Sequence, residues 1–123
     1  MASIIIMSGV QNEFYSLDQQ HVYVIGRSES LPIQILDEYV SREHLQIRFD
    51  RHKNCFCASD LGSRHGVFIN GRKIVMETFL ADDDRIRIGD TTILFTSEDF
   101  SDNDSAFSHF KKYGEFEKPT QVE

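Results

Sequence analysis

No stretch of this 123-residue sequence is apolar for anything near the ~20 residues that a helix needs to cross a bilayer. The apolar opening Ile4-Ile5-Ile6-Met7 lacks the basic start and the length of a secretory signal. Both absences point to a soluble chain, expected in the cytoplasm and away from membranes. Cysteine is scarce: Cys55 and Cys57 are the only two. Two apart on a strand, they share a face with Cα atoms ~6.5–7 Å apart, at or beyond what a disulfide spans. A Cys-x-Cys pair can also bind metal, but no second pair and no histidine cluster supports it, so no metal and no cofactor is expected. Basic residues are outnumbered, 13 against 20 acidic, for a net charge of −7. That balance argues against a nucleic-acid partner, whose phosphates call for a basic surface. No internal repeat is visible.

What is present fits one ordinary domain: 40% hydrophobic, 27% charged. Short apolar runs recur between turn signals, the pattern of an all-β sandwich or barrel. The runs are Ile4–Met7, Phe14–Leu17, His21–Ile25, Ile33–Leu36, Leu45–Phe49, Cys55–Ser59, Val67–Ile69, Arg72–Ile74, Arg85–Ile88 and Thr91–Phe95. Leu45, Ile47 and Phe49 alternate with Gln46 and Arg48, so one face is apolar. Asn70-Gly71 is the strongest two-residue hairpin turn signal. After Ser97 the period changes. Phe100, Phe107, Phe110 and Tyr113 are spaced for one helical face from about Asp104, with Ser101, Asp102 or Asp104 as cap and Gly114 as the residue after the end. This predicts a short C-terminal helix laid on the sandwich. The chain divides into 1–97, an extension 98–114 with that helix, and a flexible acidic tail 115–123.

Three polar stretches hold donors with no local partner: Gly26-Arg27, Ser41-Arg42-Glu43-His44, and Asp60-Leu61-Gly62-Ser63-Arg64-His65-Gly66. Brought to one end of a sandwich, they would form an anion site. Ser41 beside His44 also has the residue types of a nucleophile and base, but no carboxylate stands at a matching spacing and there is no Gly-x-Ser-x-Gly turn. A hydrolase or metal enzyme is the weaker alternative.

These stretches, followed by Val67-Phe68-Ile69-Asn70-Gly71 and Asp84-Arg85-Ile86-Arg87-Ile88-Gly89, resemble a forkhead-associated (FHA) domain over roughly Ser3 to Thr96. The resemblance implies a β-sandwich of about eleven strands that is not an enzyme. It also implies that loops at one end bind phosphothreonine in a partner protein, in Ser/Thr kinase signalling. A phosphothreonine presents ≈ −1.5 to −2 charges and three acceptor oxygens. By this resemblance Arg27 clamps the phosphate with its fork, Ser41 donates to it, and Arg42 donates through backbone or side chain. His44 braces the loops, and Gly26, Ser63, Gly66, Asn70 and Gly71 are structural, with Gly26 letting the loop bend.

The third stretch departs from the family's common Ser-x-Asn-Gly-Thr, because Ser63-Arg64-His65-Gly66-Val67 stands there. Arg64 takes a position that often donates to phosphate and offers a second guanidinium. His65 replaces the asparagine that pairs with the peptide backbone; its ring, when neutral, offers one donor and one acceptor, and protonated it would add positive charge. Tyr39 lies where the family often sets preference for residues after the phosphothreonine, and suggests an apolar or aromatic choice. The substitutions also leave open a structural FHA-like scaffold that no longer needs phosphate. Thr120, the only threonine beyond Thr96, is a candidate phosphosite whose phosphate could dock in the chain's own loops or a neighbour's.

Overall fold

The computed structural model describes residues 2–113. The expectations for Gly114, for the tail 115–123 and for Thr120 lie outside the described residues. Eleven strands and one helix follow in order: β1 (Ala2–Met7), β2 (Asn12–Leu17), β3 (Tyr23–Gly26), β4 (Ile33–Gln34), β5 (Leu45–Asp50), β6 (Cys55–Asp60), β7 (Phe68–Ile69), β8 (Arg72–Lys73), β9 (Thr78–Phe79), β10 (Arg85–Ile88), β11 (Thr91–Thr96) and α1 (Asn103–Tyr113).

They form two sheets, ordered β2-β1-β11-β10-β7-β8 and β4-β3-β5-β6-β9. All pairings are antiparallel except β3 with β4. Alternation along the strands sends Ile4, Ile6, Ile86, Ile88 and Ile93 from one sheet, and Ile25, Leu45, Ile47, Phe56 and Ala58 from the other, into one core. The fold is the FHA-type sandwich that the sequence implied, with its short helix.

Several boundaries differ in detail. The strand β9 lies outside the apolar runs of the sequence, and Thr78 and Phe79 take strand form by pairing with Ala58 and Cys57 of β6. Val67 lies outside β7, yet it is fully buried and its carbonyl accepts from Ile74 N at 2.9 Å. The Asn70-Gly71 turn closes β7–β8 with φ of 51° and 87°, both positive as a type I′ turn requires. This fixes the register Phe68↔Lys73 and Ile69↔Arg72.

The helix exists because β1 is apolar on both faces. Ile4 and Ile6 face the sandwich core, whereas Ile5 joins Leu94, Ala106 and Phe110 in a second buried cluster, with Met7, Phe14, Phe100 and Phe107 packed against it. Burying a phenylalanine such as Phe110 is worth roughly 1.5–3 kcal/mol, enough to hold an eleven-residue helix that is marginal alone. Asp102 caps it by accepting from Ser105 N at 2.8 Å. Ala106 is on the buried face, which an aromatic spacing overlooks, and Tyr113 is 40% exposed, outside the buried cluster, with its ring 4.5 Å from that of His109. His109 Nε2 reaches Asp83 Oδ1 at 2.8 Å and ties the helix to the loop before β10. Among the described residues no helix is long and apolar enough to cross a membrane.

Candidate functional site

The loops after β3, before β5 and after β6 lie at one end of the sandwich, joined there by the β10–β11 turn. Backbone geometry brings the first two together. Arg27 N donates to Ser41 O at 3.0 Å, and Ser28 N to Arg42 O at 3.2 Å. They approach so closely that a Cβ on Gly26 would stand 2.2 Å from Arg42 O and 2.9 Å from Ser41 O. Gly26 lies outside the left-handed region, so what it supplies is close approach and not a bend.

The second and third loops are joined through a buried ring. His44 is 0% exposed. Its Nδ1 accepts from Ser41 N at 2.9 Å, and its Nε2 lies 2.8 Å from Gly66 O. An acceptor at Nδ1 and a carbonyl at Nε2 define the neutral tautomer with its proton on Nε2. Both ring nitrogens are therefore occupied, and neither is free to take a proton from the Ser41 hydroxyl. Ser63 closes its own loop: Ser63 N donates to Asp60 Oδ1 at 2.8 Å and Ser63 Oγ accepts from Gly66 N at 2.9 Å. Among the described residues no cluster of histidine, cysteine and carboxylate could hold a metal ion.

On this frame sit the polar groups that face solvent. Arg64 N donates to Ser41 Oγ at 3.0 Å, so the hydroxyl uses an acceptor site and keeps its proton for another partner. The Arg27 side chain is exposed, and its Nε donates to Val40 O at 2.9 Å. That bond fixes the guanidinium plane, and the two Nη groups have no partner among the described residues. Arg42 and Arg64 are exposed, with side chains likewise unpartnered among those residues. His65 is exposed and meets Tyr39 edge-on, ring centroids 5.9 Å apart at 79°. Tyr39, His65, Phe68, Arg87, Gly89 and Asp90 line an adjoining open cleft of about 480 Å³.

Two contributors escaped the sequence reading. Asp37 clamps the second loop: its Oδ1 accepts from Tyr39 N at 2.9 Å, and its Oδ2 from Asp90 N and Thr91 Oγ1, both at 2.8 Å. Partial burial pushes the Asp37 carboxyl up, yet the hydrogen bonds from Tyr39, Thr91 and Asp90 outweigh it and hold the group below its ordinary value. The two-residue Asx step to Tyr39 is a local signal; Asp90 and Thr91, 53 and 54 residues away, leave none. Lys73 is the other. Its stem crosses Gly66, whose φ is +91° and whose missing Cβ would lie 2.8 Å from Lys73 Cε. The hairpin turn gave the signal here, since a two-residue loop at Asn70-Gly71 sets Lys73 opposite Phe68.

A chain of net charge −7 thus gathers Arg27, Arg42, Arg64 and Lys73 at one end. Such an end can hold a multivalent anion through one forked cation, one hydroxyl and nearby cations.

Comparison with known proteins agrees with this architecture. The family model described as the FHA domain matches residues 23–89. FHA domain-containing protein FhaA of Mycobacterium tuberculosis is 38% identical over 71 residues, 58% of this chain but only 13% of that protein. A solved structure from a study of phosphothreonine-dependent FHA domain interactions superposes with a TM-score of 0.69 at 30% identity, covering 80% of this chain and 98% of the other. The FhaA FHA domain complexed with the intracellular domain of Rv3910 superposes with a TM-score of 0.68 at 32% identity, covering 77% and 99%.

Proposed function

Because this chain belongs to the FHA domain family, we propose that its loop end recognises phosphothreonine in a partner protein. The observation that carries the reading is the pairing of Ser41 and Arg27. Arg64 N fills one acceptor site of Ser41 Oγ and Val40 O fixes Arg27 Nε, so a hydroxyl proton and two Nη groups stand ready on a braced frame. A phosphate placed there takes charge-assisted bonds that are already oriented, each worth about 1.5–3 kcal/mol. Arg64, Arg42 and Lys73 add positive charge around it.

His65, edge-on to Tyr39, takes the peptide backbone beside the phosphothreonine. The cleft behind it takes a later side chain. Its walls are mixed: Tyr39 and Phe68 are aromatic, Arg87 is cationic and Asp90 is anionic. The apolar or aromatic preference suggested by Tyr39 alone is therefore widened to side chains that also carry a polar or acidic end. The module is not catalytic, since His44 is spent on Ser41 N and Gly66 O. Its partners are phosphorylated targets of a Ser/Thr kinase, or the kinase itself. The occurrence of a related FHA domain in complex with a protein domain supports a protein partner.

A phosphothreonine peptide library, with matching unphosphorylated and phosphoserine sets, tests this against the chain and Arg27→Ala. Retention of phosphothreonine peptides by the first and not the second is expected. Equal retention of phosphorylated and unphosphorylated peptides would instead make the chain a phosphate-independent scaffold.

A further inference from the structure

The walls of the cleft beside the phosphate end come from both sheets. Phe68 of β7 and Arg87 of β10 belong to the six-stranded sheet, together with the β10–β11 turn at Gly89 and Asp90. Tyr39 stands on the loop between β4 and β5 of the other sheet. Strand pairing holds Arg87 opposite Phe68. Strand ladders do not join Tyr39 to the turn, because the two sheets share no strand among the described residues. One carboxylate joins them instead. Asp37 Oδ1 accepts from Tyr39 N at 2.9 Å, and its Oδ2 accepts from Asp90 N and Thr91 Oγ1, both at 2.8 Å. The turn sits directly on this carboxylate. A Cβ on Gly89, whose φ is +57°, would lie 2.9 Å from Asp37 Oδ2 and 3.0 Å from Val40 Cγ2.

The phosphate end is braced by other bonds. Arg27 N and Ser28 N are held on the carbonyls of Ser41 and Arg42, Ser41 N on His44, and Arg27 Nε on Val40 O. The turn that presents Val40 closes through the Asp37 main chain, whose carbonyl accepts from Val40 N at 3.0 Å. Resting on the phosphothreonine reading above, we propose that the Asp37 side chain is a positioning residue that sets specificity. It fixes the distance between Tyr39 and the Gly89-Asp90 turn, and with it the side chain after the phosphothreonine that the cleft admits.

The role calls for a carboxylate. An ionised carboxyl accepts at both oxygens, and here each side of the clamp takes one. A carboxamide accepts at its oxygen only, and its nitrogen only donates. Asparagine at this position therefore holds Tyr39 N or the turn, but not both. The bonds it would lose are charge-assisted, stronger than those between neutral groups. A fitted apolar pocket discriminates about 10–200-fold for one methylene. That discrimination falls when the walls no longer keep their distance, whereas the phosphate contacts at Arg27 and Ser41 do not draw on it.

The test separates choice of peptide from affinity for the phosphate. The strongest phosphothreonine peptide retained by the chain is titrated by calorimetry beside copies with alanine at each single position after the phosphothreonine, and a copy with alanine at all of them. The wild-type chain, Asp37→Asn and Thr91→Val are compared, each at a temperature where circular dichroism shows it folded. Wild type is expected to lose at least about tenfold in affinity at one alanine position. In Asp37→Asn that ratio is expected to fall by at least about fivefold, while affinity for the all-alanine copy changes by less than about twofold. Thr91→Val removes one bond to Asp37 Oδ2 and keeps the side chain's size. It is expected to lower the ratio by a smaller factor, and it decides alone if Asp37→Asn does not fold. An unchanged ratio in the folded variants overturns this inference. An equal loss for every peptide also overturns it, since that marks a merely structural role. A flat alanine series in wild type overturns it alone and leaves phosphothreonine recognition standing. Failure of wild type to bind any library peptide overturns the recognition reading, and this one with it.

Discussion

The carbonyl oxygen of Arg42 stands 2.2 Å from the point where a β-carbon on Gly26 would sit. That single distance locks the loop carrying Arg27 to the loop carrying Ser41, and backbone on both sides leaves nothing flexible to yield. Gly26→Ala is expected to push the loops apart, to cost about 1–3 kcal/mol as overpacking does, and to weaken phosphopeptide binding. Urea unfolding with a peptide titration checks both; unchanged values in the two would refute the close-approach role.

Arg27→Ala removes the forked cation and one bond to Val40 O. Charge-assisted hydrogen bonds of about 1.5–3 kcal/mol each imply a loss of one to two orders of magnitude in affinity or more. The fold should survive, because the guanidinium is exposed. Calorimetry with a phosphothreonine peptide, alongside circular dichroism, separates lost binding from lost structure; retained affinity would remove Arg27 from the site.

Asp37 supplies a pH dependence whose sign is set. Its carboxyl is held below its ordinary value, so its contribution is present above the unfolded-state pKa of about 3.9 and is lost as pH falls through the lower folded value. Asp37→Asn should destabilise the domain by about 1–2 kcal/mol at neutral pH. The gap from wild type should close below about pH 4. Urea midpoints measured from about pH 7 down to 3 check this; a gap that widens on acidification would contradict it.

The two cysteines share the outer face of β6, yet differ in exposure. Both are free; Cys57 is 0% exposed and Cys55 is half-buried. Burial, with Glu77 beside it, pushes the Cys57 thiol up to about 12. A thiol reagent at neutral pH should label Cys55 alone in the native chain and both residues in denaturant. Rapid native labelling of Cys57, located by mass spectrometry, would contradict the covered position.

The elements legible in the sequence were those with a local physical cause. Asn70-Gly71 requires two positive φ angles and so fixes a hairpin wherever the chain goes. Leu45–Phe49 alternates because one face of β5 meets the core. Phe107 and Phe110 repeat at helical spacing because both pack against the second cluster. The polar stretches at Arg27, Ser41 and Arg64 were visible as donors left over from those patterns.

What the sequence by itself determined, then, was the period of each segment and the residue types left for an anion. The tertiary structure decided which of them meet. Only the packed sheets set Gly26 against Arg42 O, put His44 between Ser41 N and Gly66 O, joined Asp37 to Thr91 across 54 residues, and laid Lys73 over Gly66. Such contacts arise from the relative placement of strands far apart in the chain. Period and propensity describe neighbours, and they carry no distance between loops.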